Sequence, residues 1–177
     1  MRQLVIVLAV LCATRVIAQA AEPAPKSDIA KLKSDIVNEA AIRKLYDEFT
    51  AAWNRHDVAA MTSHWAEDGD HVEPDGQVAK GRDQVTALFT KQHASIFKDS
   101  HLELKIDTVW FITQDVALID GTYDLSGVVL PDGTKIPDRT GRLSTNLLNE
   151  QGRWWIVASR LMIPATLPYK PKPAAAQ

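Results

Sequence analysis

At Ser100 the hydrophobic period of this 177-residue chain changes, and that change narrows the folds open to it. Before Ser100, apolar residues recur every three or four positions, the period of an amphipathic helix. After it they alternate, the period of a strand with one buried face. From about Asp28 to His56, a stripe of Ile36, Ala40, Leu45, Phe49, Ala52 and Trp53 predicts a first helix. Asp57 is placed to cap a second, short helix carrying Val58, Met61 and Trp65, with Gly69 as its stop. "DHVEP" then alternates as a short strand, and "PDG" at 74–76 marks a turn. Asp83 is placed to cap a third helix with Val85, Leu88, Phe89, Gln92 and Ile96 in register. "HLELKIDTVWFIT", "VALIDGTYDLSGVVL", "RTGRLSTNLLN" and "RWWIVASRLMI" predict four strands joined by the loops "TQD", "PDGTKIP" and "NEQG". Helices followed by successive antiparallel strands predict an α+β layer fold.

The opening "MRQLVIVLAVLCATRVIAQA" reads as a secretory leader, with Arg2, an apolar run from Leu4 to Ala13, and the small-x-small end Ala18-Gln19-Ala20. The run is too short to span a bilayer. Leu11 occupies the position where a lipid anchor at Cys12 would need a small residue. Cleavage near Ala20 predicts a secreted or periplasmic chain of 177 − 20 = 157 residues, enough for one domain with a sizeable core and free of the membrane. Residues 21–33 are expected to form a flexible tether and the start of the first helix, 34–167 the domain, and 168–177 a disordered proline-rich tail. Loss of Arg2 and Arg15 leaves 18 basic against 22 acidic residues, a net charge of −4. Without a basic stripe, that balance argues against nucleic acid as a partner. Cys12, the one cysteine, leaves with the leader, so neither a disulfide nor thiol chemistry is expected.

"HWAEDGDHVEPDGQVAKGRD" (His64 to Asp83) concentrates histidines and carboxylates. His71 and Glu73 fall on one face of its strand. Facing a pocket, Glu73 would have a raised pKa and act as a general base, with His71 sharing its proton or orienting a substrate. Facing the rim, both would be solvated or bonded to a loop. Thr140, Arg142, Ser144 and Asn146 share one strand face, with Leu143, Thr145 and Leu147 on the other. Inward, Arg142 would receive a carboxylate or enolate oxygen; outward, it is a solvated edge or pairs with Asp120 or Asp124. Tyr123 either offers its hydroxyl to a ligand or bonds backbone. Trp53, Trp65, Trp110, Trp154 and Trp155 read as core or sheet residues first, one or two of which also line a pocket. His64, His71, Glu73, His93 and His101 are available to a metal, but no HxxxH, HExxH or paired-Cys spacing presets a site, so none is expected. With no phosphate loop, nucleophile elbow or dinucleotide fingerprint, no cofactor is expected either.

Trp53-Asn54 before a capped helix, "AED" leading to "PDG", "KGRDQV" opening the third helix and "GRWWI" in the last strand occur in order. On these markers, over roughly Val37 to Pro164, the chain resembles the nuclear transport factor 2-like superfamily, and more narrowly the SnoaL-like and SgcJ/EcaC proteins. The resemblance implies a cone-shaped cystatin-like fold, three N-terminal helices packed in a strongly bent, mainly antiparallel sheet, commonly dimeric through that sheet. Different members use the cone as isomerases, cyclases, dehydratases, ligand binders or association modules, so fold does not settle function. By resemblance to ketosteroid isomerases, Glu73-Pro74 stands where their Asp-Pro base stands, while Phe49 and Ser144 stand at their oxyanion positions. Phe cannot donate a hydrogen bond and Ser is a weak substitute, which argues against steroid isomerisation.

The resulting expectation is an exported domain that binds a small apolar or aromatic molecule. Glu73 and His71 are its catalytic candidates; Phe49, Trp53, Trp65, Phe89, Tyr123, Arg142 and Ser144 surround the substrate. Cofactor-free acid/base chemistry on a carbonyl-containing substrate is one reading, and a non-catalytic binding or dimeric association module is the other. A closed pocket of roughly a few hundred Å³ holding Glu73 favours the first. A cone plugged by Phe49, Trp53 and Phe89 favours the second.

Overall fold

The computed structural model describes residues 26–165; the expected leader, the first part of the tether and the tail lie outside the described residues. Helix α1 (Lys26–Asn54) therefore begins within the proline-rich tether region. Its second half carries Ile42, Leu45, Tyr46, Phe49, Ala52 and Trp53 as one buried stripe. Ile36, expected on that stripe, is 61 % exposed beside exposed Leu32 and Val37, because no described element covers the first turns. At the other end, Asn54 acts as a short piece of strand. Its Nδ2 donates to the Leu102 carbonyl at 2.9 Å and its Oδ1 accepts from the Leu102 N–H at 2.8 Å.

Asp57 caps α2 (Val58–Thr62), accepting from the Ala60 N–H at 3.0 Å. This helix stops sooner than its pattern suggests, and Trp65 opens strand β1 (Trp65–Val72) instead. Strand β1 runs parallel to β6 (Arg153–Met162), with Trp65 opposite Ile156 and Asp70 opposite Ala158. Five steps along one strand thus match two along the other, and this bulge erases the alternation of the strand's first half, leaving it from Asp70 onward. Gly69 does not stop a helix. A Cβ there would lie 2.5 Å from the Ile156 carbonyl oxygen, so only glycine allows the two backbones to approach.

The "PDG" turn closes through Glu73 N–H to Gln77 O and Gly76 N–H to Glu73 O, both 2.9 Å, and leads into β2 (Val78–Lys80), antiparallel to β1. In α3 (Arg82–His93) the N-cap is Gly81, without a side-chain bond; Asp83 sits inside the first turn, where its charge complements the helix dipole, and Ile96 lies past the end. Strands β3 (His101–Phe111), β4 (Val116–Ser126), β5 (Arg139–Glu150) and β6 then pair antiparallel in succession. The sheet order is β2-β1-β6-β5-β4-β3, and the β1–β6 pair alone is parallel. The result is an α+β cystatin-like fold with a mainly antiparallel sheet. One face of that sheet, carrying Ile119, Tyr123 and Leu125 of β4 and Leu143, Thr145 and Leu147 of β5, is buried with the helices.

Candidate functional site

The inward side chains enclose a cavity of about 60 Å³. Phe49, Trp53, Trp65 and Phe89 line it, and their rings touch one another with centroids 5.7 to 6.5 Å apart. That aromatic cluster fills much of the cone and explains why the space is smaller than a few hundred Å³. The cone is nonetheless not sealed, and one of its polar lining residues, Arg139, also borders a cleft at the surface.

Strand β1 supplies His71, and the turn residue Glu73 follows two positions later on the same side. His71 is 2 % exposed, with its ring edge-on to Trp65 and Phe89. Its Nε2 lies 3.4 Å from Glu73 Oε1, near enough for charge attraction but not aligned as a hydrogen bond, and neither ring nitrogen has a hydrogen-bond partner. The same Glu73 oxygen accepts from Gln92 Nε2 at 2.9 Å, so α3 fixes the carboxylate that the turn presents. Burial pushes the Glu73 pKa up, but His71, the Gln92 amide and the Arg139 guanidinium together carry it below the usual value. The expectation of a raised pKa is therefore corrected: the three polar neighbours outweigh the apolar wall.

Tyr46, from α1, also lines the cavity. Its hydroxyl is buried without a partner, and burial raises its pKa well above that of a free phenol. Tyr123 lies across Gly141, where a Cβ would fall 2.0 Å from the ring; burial raises its pKa, with Glu73 adding to the shift and Arg139 opposing it. Ser159 lines the wall behind them, its Oγ accepting from Thr145 at 3.5 Å.

Arg142 and Ser144 lie elsewhere. Both occupy the outer face of β5, and the Arg142 guanidinium, 54 % exposed, reaches Asp107 at 3.9 Å. The leucines of that strand take the inner face, which puts the polar residues between them outside. The cavity's guanidinium is Arg139, the first residue of β5. It shares the parity of Leu143 and Leu147, and that parity was the signal available for it. Of the remaining histidines, His93 is buried with Nδ1 at 3.0 Å from Nδ1 of His56, while His64 and His101 stand apart from it. Among the described residues, no three His, Cys, Asp or Glu side chains gather as a metal set would.

A family profile for the SnoaL-like domain matches residues 42–166. The chain belongs to the SnoaL-like domain family. No curated protein matches it. Among solved structures, this SnoaL-like domain is similar to an uncharacterised cystatin-like protein from Caulobacter vibrioides, with 28 % identity and a TM-score of 0.66 over 72 % of this chain and 89 % of the other. It is also similar to a putative scytalone dehydratase from Novosphingobium aromaticivorans, with 14 % identity and a TM-score of 0.66 over 80 % and 93 %. A third is a type 2 hexachlorocyclohexane dehydrochlorinase, with 15 % identity and a TM-score of 0.64 over 80 % and 98 %. The latter two establish a shared fold.

Proposed function

We propose that this SnoaL-like domain is an exported small-molecule-binding protein whose cavity carries out cofactor-free acid/base chemistry on a carbonyl-containing substrate. One observation carries the reading: His71 is almost wholly buried in an apolar cavity with both ring nitrogens unpartnered, beside a carboxylate held by Gln92. An unsatisfied buried imidazole costs stability, and such groups are retained where a ligand completes their bonding. Histidine is also the side chain best suited to exchange a proton near neutral pH. In this reading His71 removes a proton from the carbon beside the carbonyl. Glu73, kept ionised by its neighbours, stabilises the imidazolium that forms, and the Tyr46 hydroxyl is the candidate donor to the enolate oxygen.

Two of the similar structures are named as a dehydratase and a dehydrochlorinase. Eliminations of that kind and enolisation both remove a proton from carbon. The leader pattern at residues 1–20 supports export, and the exposed Trp110 beside Leu118 at one end of the sheet's otherwise largely polar outer face supports a homodimer.

The aromatic filling of the cone favours a second reading, a binding or association module without turnover. Incubating the protein in D₂O with a panel of small ketones, aldehydes and unsaturated acids separates the two. Deuterium entering the carbon beside the carbonyl, followed by NMR and lost in His71→Asn, is the expected result. Absence of exchange with every compound, together with no rise in melting temperature, would leave the association reading in its place.

A further inference from the structure

Seven arginines lie among the described residues, and six of them have a partner. Arg43 holds Glu39, Arg142 faces Asp107, and Arg160 grips Asp70 through both nitrogens. Arg55, Arg82 and Arg153 donate to the carbonyls of Ala51, Trp65 and Ser63. Arg139 is the exception. Its Nε is buried without an acceptor, and no described carboxylate oxygen lies within the 4.0 Å of an ion pair. The Nε of this half-buried guanidinium loses hydration without regaining it from the protein.

Its placement says what it serves. Together with Leu125, Arg139 lines the apolar cavity on one side and a polar surface cleft on the other, so it stands where the cavity meets solvent. Glu73 feels its charge but is already engaged by Gln92 and His71. We propose that Arg139 is the receptor for a ligand's carboxylate, and that the cavity takes a short-chain carboxylic acid. The planar fork of Arg matches a carboxylate through two parallel hydrogen bonds.

Size narrows the class further. A cavity of about 150 Å³ accommodates benzene, or roughly 25 Å³ per carbon. At about 60 Å³ this cavity holds a chain of ~2–3 carbons, leaving the carboxylate at the mouth. Charge sets the orientation. Glu73 repels a second carboxylate, so the acid group lies at Arg139 and the carbon chain points toward His71 and Phe89. Glu103, Asp124 and Asp138 line the outer cleft; they are exposed, and salt screens them.

This inference rests on the reading of the cavity as a ligand site, and its test keeps the two apart. Crotonate and crotonamide are probes of equal shape that differ in charge. Binding of each to the full chain is followed by tryptophan fluorescence, since Trp53 and Trp65 line the cavity. The wild type is expected to bind crotonate at least tenfold more tightly than crotonamide. Arg139→Gln should bring the two to parity, Arg139→Lys should keep part of the preference, and Arg142→Gln should leave it whole. Equal binding by the wild type, or a preference that survives Arg139→Gln, would overturn the assignment while leaving the cavity a ligand site. Binding of neither probe would overturn both. The wild-type comparison stands even where a variant fails to fold.

Discussion

Burial alone would make Glu73 a weaker acid, and three neighbours reverse that sign. Because His71, Gln92 and Arg139 together outweigh desolvation, Glu73 stays ionised further into acid than a free carboxyl, which suits it to stabilise a cation and makes it a poorer base. His71→Asn is therefore expected to remove proton exchange by roughly 10²–10⁴, the span of a lost general base. Glu73→Gln should lose less, because the imidazole remains. Rates of α-deuteration for the two variants decide the order, and a larger loss in Glu73→Gln would return the base role to the carboxylate. The lowered pKa also has a sign in stability: a depressed carboxyl stabilises the fold above its unfolded value, and that contribution disappears as pH falls through the folded one. His93 behaves in the same direction higher on the scale. Burial, with the nearby His56 charge adding to it, lowers His93 from 6.5 to about 4, so the unfolded chain binds the extra proton between those values. Stability should fall as pH drops across that window. Urea unfolding of wild type and His93→Gln at pH 7 and pH 4.5 checks it: the variant should show the smaller loss on acidification.

At the scale of elements, the site depends on how closely β1 approaches β6, because that contact carries His71 to the cavity. Gly69→Ala would set a Cβ 2.5 Å from the Ile156 carbonyl, a backbone atom that cannot swing aside. Overpacking of this kind costs about 1–3 kcal/mol. The expected result is a lower urea midpoint together with loss of crotonate binding, since the strand that shifts also bears the site; an unchanged midpoint would mean that the bulge relaxes freely. The same contact explains what the sequence could show. Strands β3 to β6 were legible because each buries one face, and period two survives in Ile119, Gly121, Tyr123 and Leu125 as in Leu143, Thr145 and Leu147. Of strand β1 only the end, Asp70 to Val72, was legible, because residues 66–69 bulge out of that alternation and parallel pairing with β6 is a long-range contact with no local mark. In β5 alternation divides the residues into two faces but does not say which face is inner. Burial of Leu143 and Leu147 decides it, sending Arg142 and Ser144 outward and bringing Arg139 in. The order of helices and strands was therefore readable from local chemistry. The pairing of His71 with Glu73 was readable from their spacing, but the addition of Gln92 and Arg139 was not, because it joins α3 and β5 to β1 and its following turn.

At the scale of the whole molecule, the outer face of the sheet is the unresolved surface. Trp110 is 58 % exposed and pairs across β3–β4 with the half-buried Leu118. Leu148, Trp155 and Val157 line a neighbouring cleft, where Trp155 also lies under the guanidinium of Arg153 at 3.8 Å. Apolar side chains clustered at one end of an otherwise polar sheet face are candidates for an interface. A second copy related by a two-fold axis would cover them with its own equivalent patch. A dimer of about twice the chain mass is therefore expected by light scattering at micromolar concentration, with a melting temperature that rises with protein concentration. Leu118→Glu, placing a charge in the middle of that cluster, should give a monomer whose melting temperature no longer depends on concentration. Crotonate binding should survive in the variant, because the cavity lies on the opposite side of the sheet and none of these residues lines it. A wild-type monomer at micromolar concentration would refute the dimer. Loss of crotonate binding in a folded Leu118→Glu monomer would show that the cavity needs the second copy to keep its shape.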